Sequence, residues 1–310
     1  KVFIDGSSGT TGLRIADRLA QRPEVELLSI SAEGRKDVNE RAKVINSADL
    51  AFLCLPDAAS KEVMPLLRPD VKVLDTSTAF RTDAAWDYGF PELKGQKAKI
   101  QNSYRVAVPG CYASGFISIA RPLVELGLAP ADYPFSCTGI SGYSGGGKKM
   151  IAEYESADRP AHSKLDAPKS YGLGLAHKHL PEMQKISGLA HTPMFVPVVC
   201  DYYCGMQVLV PLDLTLAGST AEQVAEGIAA YYKDAATVKV HALNEALPEN
   251  GLYSNAMAGT DRMELYMTVN AAGDQMMLVS VFDNLGKGSS GAAVQCMNLM
   301  LGLEETKGLE

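Results

Sequence analysis

The chain has 310 residues, 46% of them hydrophobic and 21% charged, which is enough to bury a sizeable core and to build two domains. Its formal charge of −7 is spread without a basic block, which argues against nucleic acid as a partner and leaves any anionic small molecule to be met by local cations. The six cysteines (Cys54, Cys111, Cys137, Cys200, Cys204 and Cys296) form no CxxC pair with a His or Cys cluster, so no metal site is expected. Nothing resembles a signal peptide or an apolar span of about 18 residues, so the expected setting is a reducing cytoplasm with free thiols and no membrane partner.

Residues 1–5 predict a short apolar strand, residues 6–12 a glycine turn and residues 13–19 an amphipathic helix. Gly6, Gly9 and Gly12, spaced GxxGxxG, let the backbone turn tightly and approach a pyrophosphate. Ser8, Thr10 and Thr11 supply hydroxyls, and the helix N-terminus supplies amides. A dinucleotide cofactor is therefore expected here. The second strand, residues 25–30, ends in Ser31-Ala32-Glu33-Gly34-Arg35-Lys36. There Ser31, Arg35 and Lys36 suit the 2′-phosphate of NADP, while Glu33 leaves NAD open. Strands at 49–55 and 71–75, with a helix at 58–67 between them, extend the alternation, and a parallel sheet wound on both faces follows.

Cys111 follows Pro109-Gly110, which break the preceding segment, and Ala113, Phe116, Ile117, Ala120 and Leu123 then repeat at helical spacing. This predicts a helix that starts at the cysteine. Its dipole and free amides would favour the thiolate, although a small, buried, inert cysteine is the alternative. Beyond this point strand patterns at 133–138, 195–199, 206–214, 238–242, 264–269 and 276–281 crowd together, which fits a mixed or antiparallel sheet in a second, α+β domain. A helix with a Ser/Thr cap is expected over 220–232. Residues 283–291 end a strand and open an apolar helix at 292–303, so Asn284, Lys287 and Gly288 either close the cofactor site or form a plain loop into a packing helix. The boundaries read as a cofactor domain of residues 1–110 and 283–310 around a catalytic domain of residues 111–282.

Several segments together carry a resemblance: GxxGxxG at the start, Asp75-Thr76-Ser77-Thr78-Ala79-Phe80-Arg81, Pro109-Gly110-Cys111-Tyr112, Ser141-Gly142-Tyr143-Ser144-Gly145, His177-Lys178-His179-Leu180-Pro181-Glu182 and Asn284-Leu285-Gly286-Lys287-Gly288. Over essentially its whole length the chain resembles the shorter form of the N-acetyl-gamma-glutamyl-phosphate reductases, within the semialdehyde dehydrogenases. The resemblance implies a Rossmann-type domain and NADPH-dependent reduction of N-acetyl-glutamyl 5-phosphate to the semialdehyde, with phosphate released, as a step of arginine biosynthesis. It also implies assembly as a homo-oligomer, commonly a tetramer.

The resemblance implies site roles as well: Cys111 as nucleophile, His177 or His179 as acid/base oriented by Glu182, Arg81 as an anion-binding arginine, and Ser141, Tyr143 and Ser144 as a substrate loop. Thiol attack on an acyl phosphate followed by hydride transfer needs such a cysteine and a group that titrates near neutrality. Lys148 and Lys149 are further candidate cations or a surface pair, and His162, His191 and His241 lack comparable surroundings. Two other readings compete. Aspartate-semialdehyde dehydrogenase would use the same cysteine but expects a late histidine that is missing around Asp201 to Met206. An NADP-sensing regulator would keep the glycines without the chemistry.

Overall fold

The computed structural model describes residues 1–7 and 9–310; Ser8, expected in the cofactor turn, lies outside the described residues. The chain divides into two compact units, Lys1–Gly110 with Ser289–Leu309, and Cys111–Gly288 with Glu310.

The first unit runs β1 (Val2–Asp5), α1 (Thr10–Ala20), β2 (Leu27–Leu28), α2 (Val38–Ser47), β3 (Leu50–Leu53), α3 (Asp57–Val63), β4 (Lys72–Asp75), β5 (Asp87–Tyr88), α4 (Gln96–Asn102) and β6 (Arg105–Ala107). Its sheet has the order β2-β1-β3-β4-β6-β5, and every pairing is parallel. Successive strand residues point to opposite faces, so two separate cores form. Val2, Ile4, Leu50, Phe52 and Leu74 pack with Ile15 and Leu19 of α1 and with Ala293, Val294 and Met297 of the C-terminal helix. On the other face Phe3, Ala51, Leu53 and Val73 pack with Ala42, Ile45 and Val63 of α2 and α3. Burial on both sides explains why these strands read as continuous apolar runs.

Several expected elements come out shorter. The strand expected at 25–30 pairs only over Leu27–Leu28 at the sheet edge, and the helix expected over 58–67 stops at Val63. Pro65, lacking an N–H, leaves a single 3₁₀ turn at Met64–Leu66.

The second unit contains α5 (Cys111–Glu125), β7 (Ser136–Gly142), α6 (Gly147–Tyr154), β8 (Lys169–Ser170), α7 (Leu180–Ser187), β9 (Met194–Cys200), β10 (Met206–Asp213), α8 (Leu214–Ala217), α9 (Ala221–Tyr231), β11 (Val238–Val240), β12 (Met263–Val269) and β13 (Gln275–Phe282). Its sheet, ordered β11-β12-β13-β10-β7-β9-β8, is mixed as expected: β11/β12 and β7/β9 are parallel and the other pairs antiparallel. α5 packs on β10 and β13 and against α7 and α9. α9 starts with the expected cap, where Thr220 accepts from the Gln223 N–H and the Gln223 side chain accepts from the Thr220 N–H. After β13 a π-helical turn, Gly286–Ser290, leads into α10 (Gly291–Met300), which belongs to the first unit. Among the described residues no helix is long and apolar enough to cross a membrane, and no cluster of His, Cys, Asp and Glu is placed to hold a metal ion.

Candidate active site

Cys111 is the first residue of α5 and is half-buried. The helix lies close on the sheet because residue 115 is glycine: a Cβ there would sit 2.6 Å from Val208 Cγ2 and 2.7 Å from Ser280 Oγ. Ser118 and Ser280 both donate to the Gly115 carbonyl, at 2.8 Å and 3.2 Å. A thiol at a helix start lies at the positive end of the helix dipole, which favours the thiolate. Burial does the opposite to three of the other thiols. It pushes Cys54 up to about 12 and raises Cys137 and Cys200, and Cys296 is fully buried with its Sγ donating to the Gly89 carbonyl at 3.4 Å.

Tyr112, beside the cysteine, gathers the two candidate histidines. Its ring centroid lies 5.9 Å from His177 and 6.1 Å from His179, and the two imidazoles are 4.7 Å apart and nearly perpendicular. Phe195 closes the cluster at 5.1 Å from both Tyr112 and His177. The Tyr112 hydroxyl donates to the Val198 carbonyl at 3.3 Å and accepts from the Tyr171 hydroxyl at 3.4 Å. Burial raises both phenols, and the neighbouring Cys111 adds to each effect. Tyr171 carries no motif in the sequence and enters the site only through this packing.

The two histidines differ in environment. His177 is half-buried, and burial, assisted by the charge of Lys178, pushes it down to about 4. Its Nδ1 accepts the His179 N–H at 3.2 Å, so the neutral ring carries its proton on Nε2. His179 is buried at the start of α7, and Glu182 is buried in the first turn of that helix.

The loop at Ser141–Gly147 is held largely by segments far along the chain: the N–H groups of Gly142, Tyr143 and Ser144 donate to the carbonyls of Gly205, Tyr202 and Tyr203 at 3.0, 2.9 and 3.0 Å. Ser141 is buried and donates to the Gly142 carbonyl at 3.0 Å. Ser144 Oγ accepts from Asn284 Nδ2 at 3.0 Å, and Asn284 Oδ1 accepts the Gly205 N–H at 2.8 Å, so the Asn284 amide fastens two loops together. Tyr143 stacks on Tyr154 at 4.7 Å and donates to Glu155 Oε1 at 3.1 Å. Lys287 is buried in the π-helical turn, and Gly288 abuts Cys111: a Cβ there would lie 3.0 Å from Cys111 Cβ.

In the first unit the sheet order reverses between β1 and β3, the place where open parallel sheets bind ligands at their carboxyl ends. Gly6 turns there with φ +90°, and a Cβ would lie 2.5 Å from the Cys54 carbonyl oxygen. A Cβ on Gly12 would lie 2.4 Å from the Gly6 oxygen. Gly9 N-caps α1 without a side-chain bond, so Thr10 and Thr11 open the helix, with Thr11 Oγ1 3.2 Å from Ser289 Oγ. A cavity of about 310 Å³ continues from Gly6 and Ser7 to Ser29, Ile30 and Arg35. Ser31 Oγ accepts the Gly34 N–H at 3.0 Å and shapes the turn that carries Arg35. Bare backbone, uncapped amides and a cation at the far end fit a dinucleotide phosphate. Arg81 is buried, with Nε donating to the Val108 carbonyl at 2.9 Å and Nη2 to that of Thr76 at 3.0 Å, so it braces the segment leading to Cys111.

Residues 1–101 match the NAD-binding domain of the semialdehyde dehydrogenases and residues 111–284 their dimerisation domain, so the chain is by class a semialdehyde dehydrogenase. It is 45% identical over its full length to the N-acetyl-gamma-glutamyl-phosphate reductase of Trichormus variabilis, of which it covers 99%. It is 47% identical to that of Burkholderia cenocepacia, with 97% of each chain covered. Within the class, the chain belongs to the family of N-acetyl-gamma-glutamyl-phosphate reductases. The crystal structure of aspartate semialdehyde dehydrogenase II complexed with ASA from Vibrio cholerae shares the fold, with a TM-score of 0.70 over 97% of this chain and 98% of that one, at 18% identity. The aspartyl enzymes are thus distant neighbours. The expected fold class and a nicotinamide dinucleotide as cofactor are borne out.

Proposed function

We propose that the protein reduces N-acetyl-L-glutamyl 5-phosphate to N-acetyl-L-glutamate 5-semialdehyde with NADPH, releasing phosphate through a thioester on Cys111, as a step of arginine biosynthesis. The observation that carries this reading is Cys111 as the first residue of α5, next to a tyrosine ring that packs both His177 and His179. The first unit serves as the cofactor domain and the second as the catalytic one, with Gly6, Gly9, Thr10, Thr11 and Gly12 cradling phosphate. Arg35 at the end of the cleft, on the turn that Ser31 shapes, supports NADP over NAD. The protein works as a homo-oligomer, a tetramer in this reading, in the cytoplasm.

Attack by the Cys111 thiolate forms the S–C bond as the C–O bond to phosphate breaks and phosphate departs. The cofactor, when bound, supplies a hydride to the thioester carbonyl. Cleavage of the C–S bond then frees the aldehyde and restores the thiolate. His177 is the ring that acts. It is neutral, half-exposed and protonated at Nε2, so it donates a hydrogen bond to the acyl oxygen while that atom carries charge. His179, buried and followed one helical turn later by Glu182, supports it. Arg81 attracts the substrate anion from its braced position, and Ser141, Tyr143 and Ser144 form the loop beneath the substrate. The test is phosphate-dependent NADP reduction with N-acetyl-glutamate semialdehyde beside aspartate semialdehyde. The glutamyl compound turns over faster in this account, and equal or better turnover of the aspartyl compound overturns it.

A further inference from the structure

The segment Asp283-Asn284-Leu285-Gly286-Lys287-Gly288 reads in the sequence as a helix-opening loop suited to a cofactor. Its contacts within the second unit point to a different task. Asp283 is fully buried; its Oδ1 accepts the Leu285 N–H at 2.7 Å and its Oδ2 the Gly259 N–H at 2.7 Å. The same residue's carbonyl accepts the N–H of Gly286 at 3.2 Å and of Gly288 at 2.9 Å. One side chain and one carbonyl thus fold the turn and tie it to the neighbouring loop at Gly259. At Gly286 the turn meets that loop backbone to backbone, since a Cβ would lie 2.0 Å from the Thr260 oxygen. The far end of the turn is Gly288, whose missing Cβ would lie 3.0 Å from Cys111 Cβ, 3.1 Å from the Asp283 oxygen and 3.2 Å from Phe282 Cε2. Four residues along α5, Gly115 is packed as closely against the same Phe282 ring, since a Cβ there would lie 2.9 Å from Phe282 Cε1.

We infer that Asp283 and Gly288 are positioning residues for the nucleophile: the Asp283-braced turn presses bare glycine backbone against the Cys111 Cβ and so fixes where the thiol points. This rests on the reading of Cys111 as the nucleophile. A π-helical turn at this point is consistent with the role, because such turns recur where a functional group must be re-aimed. Asp283 works at one remove, through hydrogen bonds that an amide satisfies only in part. Gly288 works directly, through the absence of an atom.

The test uses Gly288→Ala and Asp283→Asn in the full chain, with three readouts. Iodoacetamide alkylation of Cys111 as a function of pH reports the thiol without turnover, NADPH fluorescence titration reports the cofactor, and steady-state kinetics separate kcat from KM. For Gly288→Ala the alkylation rate and kcat fall on the order of 10- to 100-fold, as for a displacement of about 1 Å, with KM and NADPH affinity within about twofold. Asp283→Asn moves the same quantities by less. Where Gly288→Ala lowers the melting temperature, that loss shrinks in a Cys111→Gly background, which removes the opposing Cβ. Weakened NADPH binding with unchanged alkylation overturns the inference in favour of a cofactor role, and so does an equal melting loss in both backgrounds. Full turnover by Cys111→Ser would instead remove the reading on which the inference rests, while the alkylation rates would still report the geometry.

Discussion

The pair Arg41–Asp5 beneath the cofactor turn gives a prediction with a magnitude. Asp5 ends β1 directly before Gly6, and Arg41 of α2 meets its Oδ2 with Nε and Nη2, each at 2.8 Å, both side chains being about 95% removed from solvent, at 6% and 5% exposure. Burial raises the Asp5 carboxyl, and Arg41 opposes that rise. Arg41→Met keeps most of the stem and deletes the charge, leaving a buried carboxylate without its counter-ion. The expected loss at neutral pH is about 3–5 kcal/mol.

Asp5 can relieve the strain by taking up a proton, which fixes the sign of the pH dependence. With its folded-state pKa further above the unfolded value, the variant is relatively most stable at low pH and loses stability as pH rises. The slope is about 1.4 kcal/mol per pH unit wherever the folded chain holds this proton and the unfolded chain does not. Urea denaturation between pH 5 and 8 measures it, read by Trp86, the single tryptophan, which lies in the first unit stacked on Phe80 at 4.3 Å. Asp5→Asn in the Arg41→Met background should recover much of the loss at pH 8 and flatten the slope. A loss below about 1 kcal/mol, or one equal at pH 5 and pH 8, refutes the reasoning.

Three further outcomes are expected. The folded chain keeps His177 unprotonated until about pH 4 whereas the unfolded chain protonates it near 6.5, so this contribution to stability is complete above that range and is lost as pH falls through it. Melting temperatures of wild type and His177→Gln from pH 4.5 to 7.5 check this, since the variant's slope should be shallower and an identical slope contradicts it. Gly12→Ala drives a Cβ to 2.4 Å from the Gly6 oxygen and should weaken NADPH binding on the order of tenfold or more by calorimetry, with near-wild-type affinity counting against the cradle. Iodoacetamide near neutral pH should label Cys111 well before Cys54 or Cys137, whose thiols burial holds protonated, and peptide mass spectrometry showing Cys54 labelled first would contradict the electrostatic picture.

What could be read in advance followed from local rules. The strand, glycine turn and α1 announce themselves because each needs only neighbouring residues. The same holds for Cys111 behind Pro109-Gly110 and for the Thr220–Gln223 cap. Contacts made far along the chain were hidden. Tyr171 reaches Tyr112 across 59 positions, and Asn284 fastens Ser144 across 140. His241, which reads as a histidine without partners, is buried with Nδ1 at 2.8 Å from Glu245 and Nε2 at 2.9 Å from Glu264, and stacks on Tyr266 at 4.0 Å. β5 and β6, of two and three residues, are too short to show a period. The difference between the two site histidines was likewise invisible, because it depends on burial and on one backbone N–H that accounts for the His177 tautomer.

Intact-protein mass spectrometry of the enzyme mixed with N-acetyl-glutamyl phosphate in the absence of NADPH tests the central claim most directly. The account predicts a single acyl adduct that maps to Cys111, is discharged on adding NADPH and is missing in Cys111→Ser. An adduct on another residue, or an adduct and turnover that survive in Cys111→Ser, would contradict it.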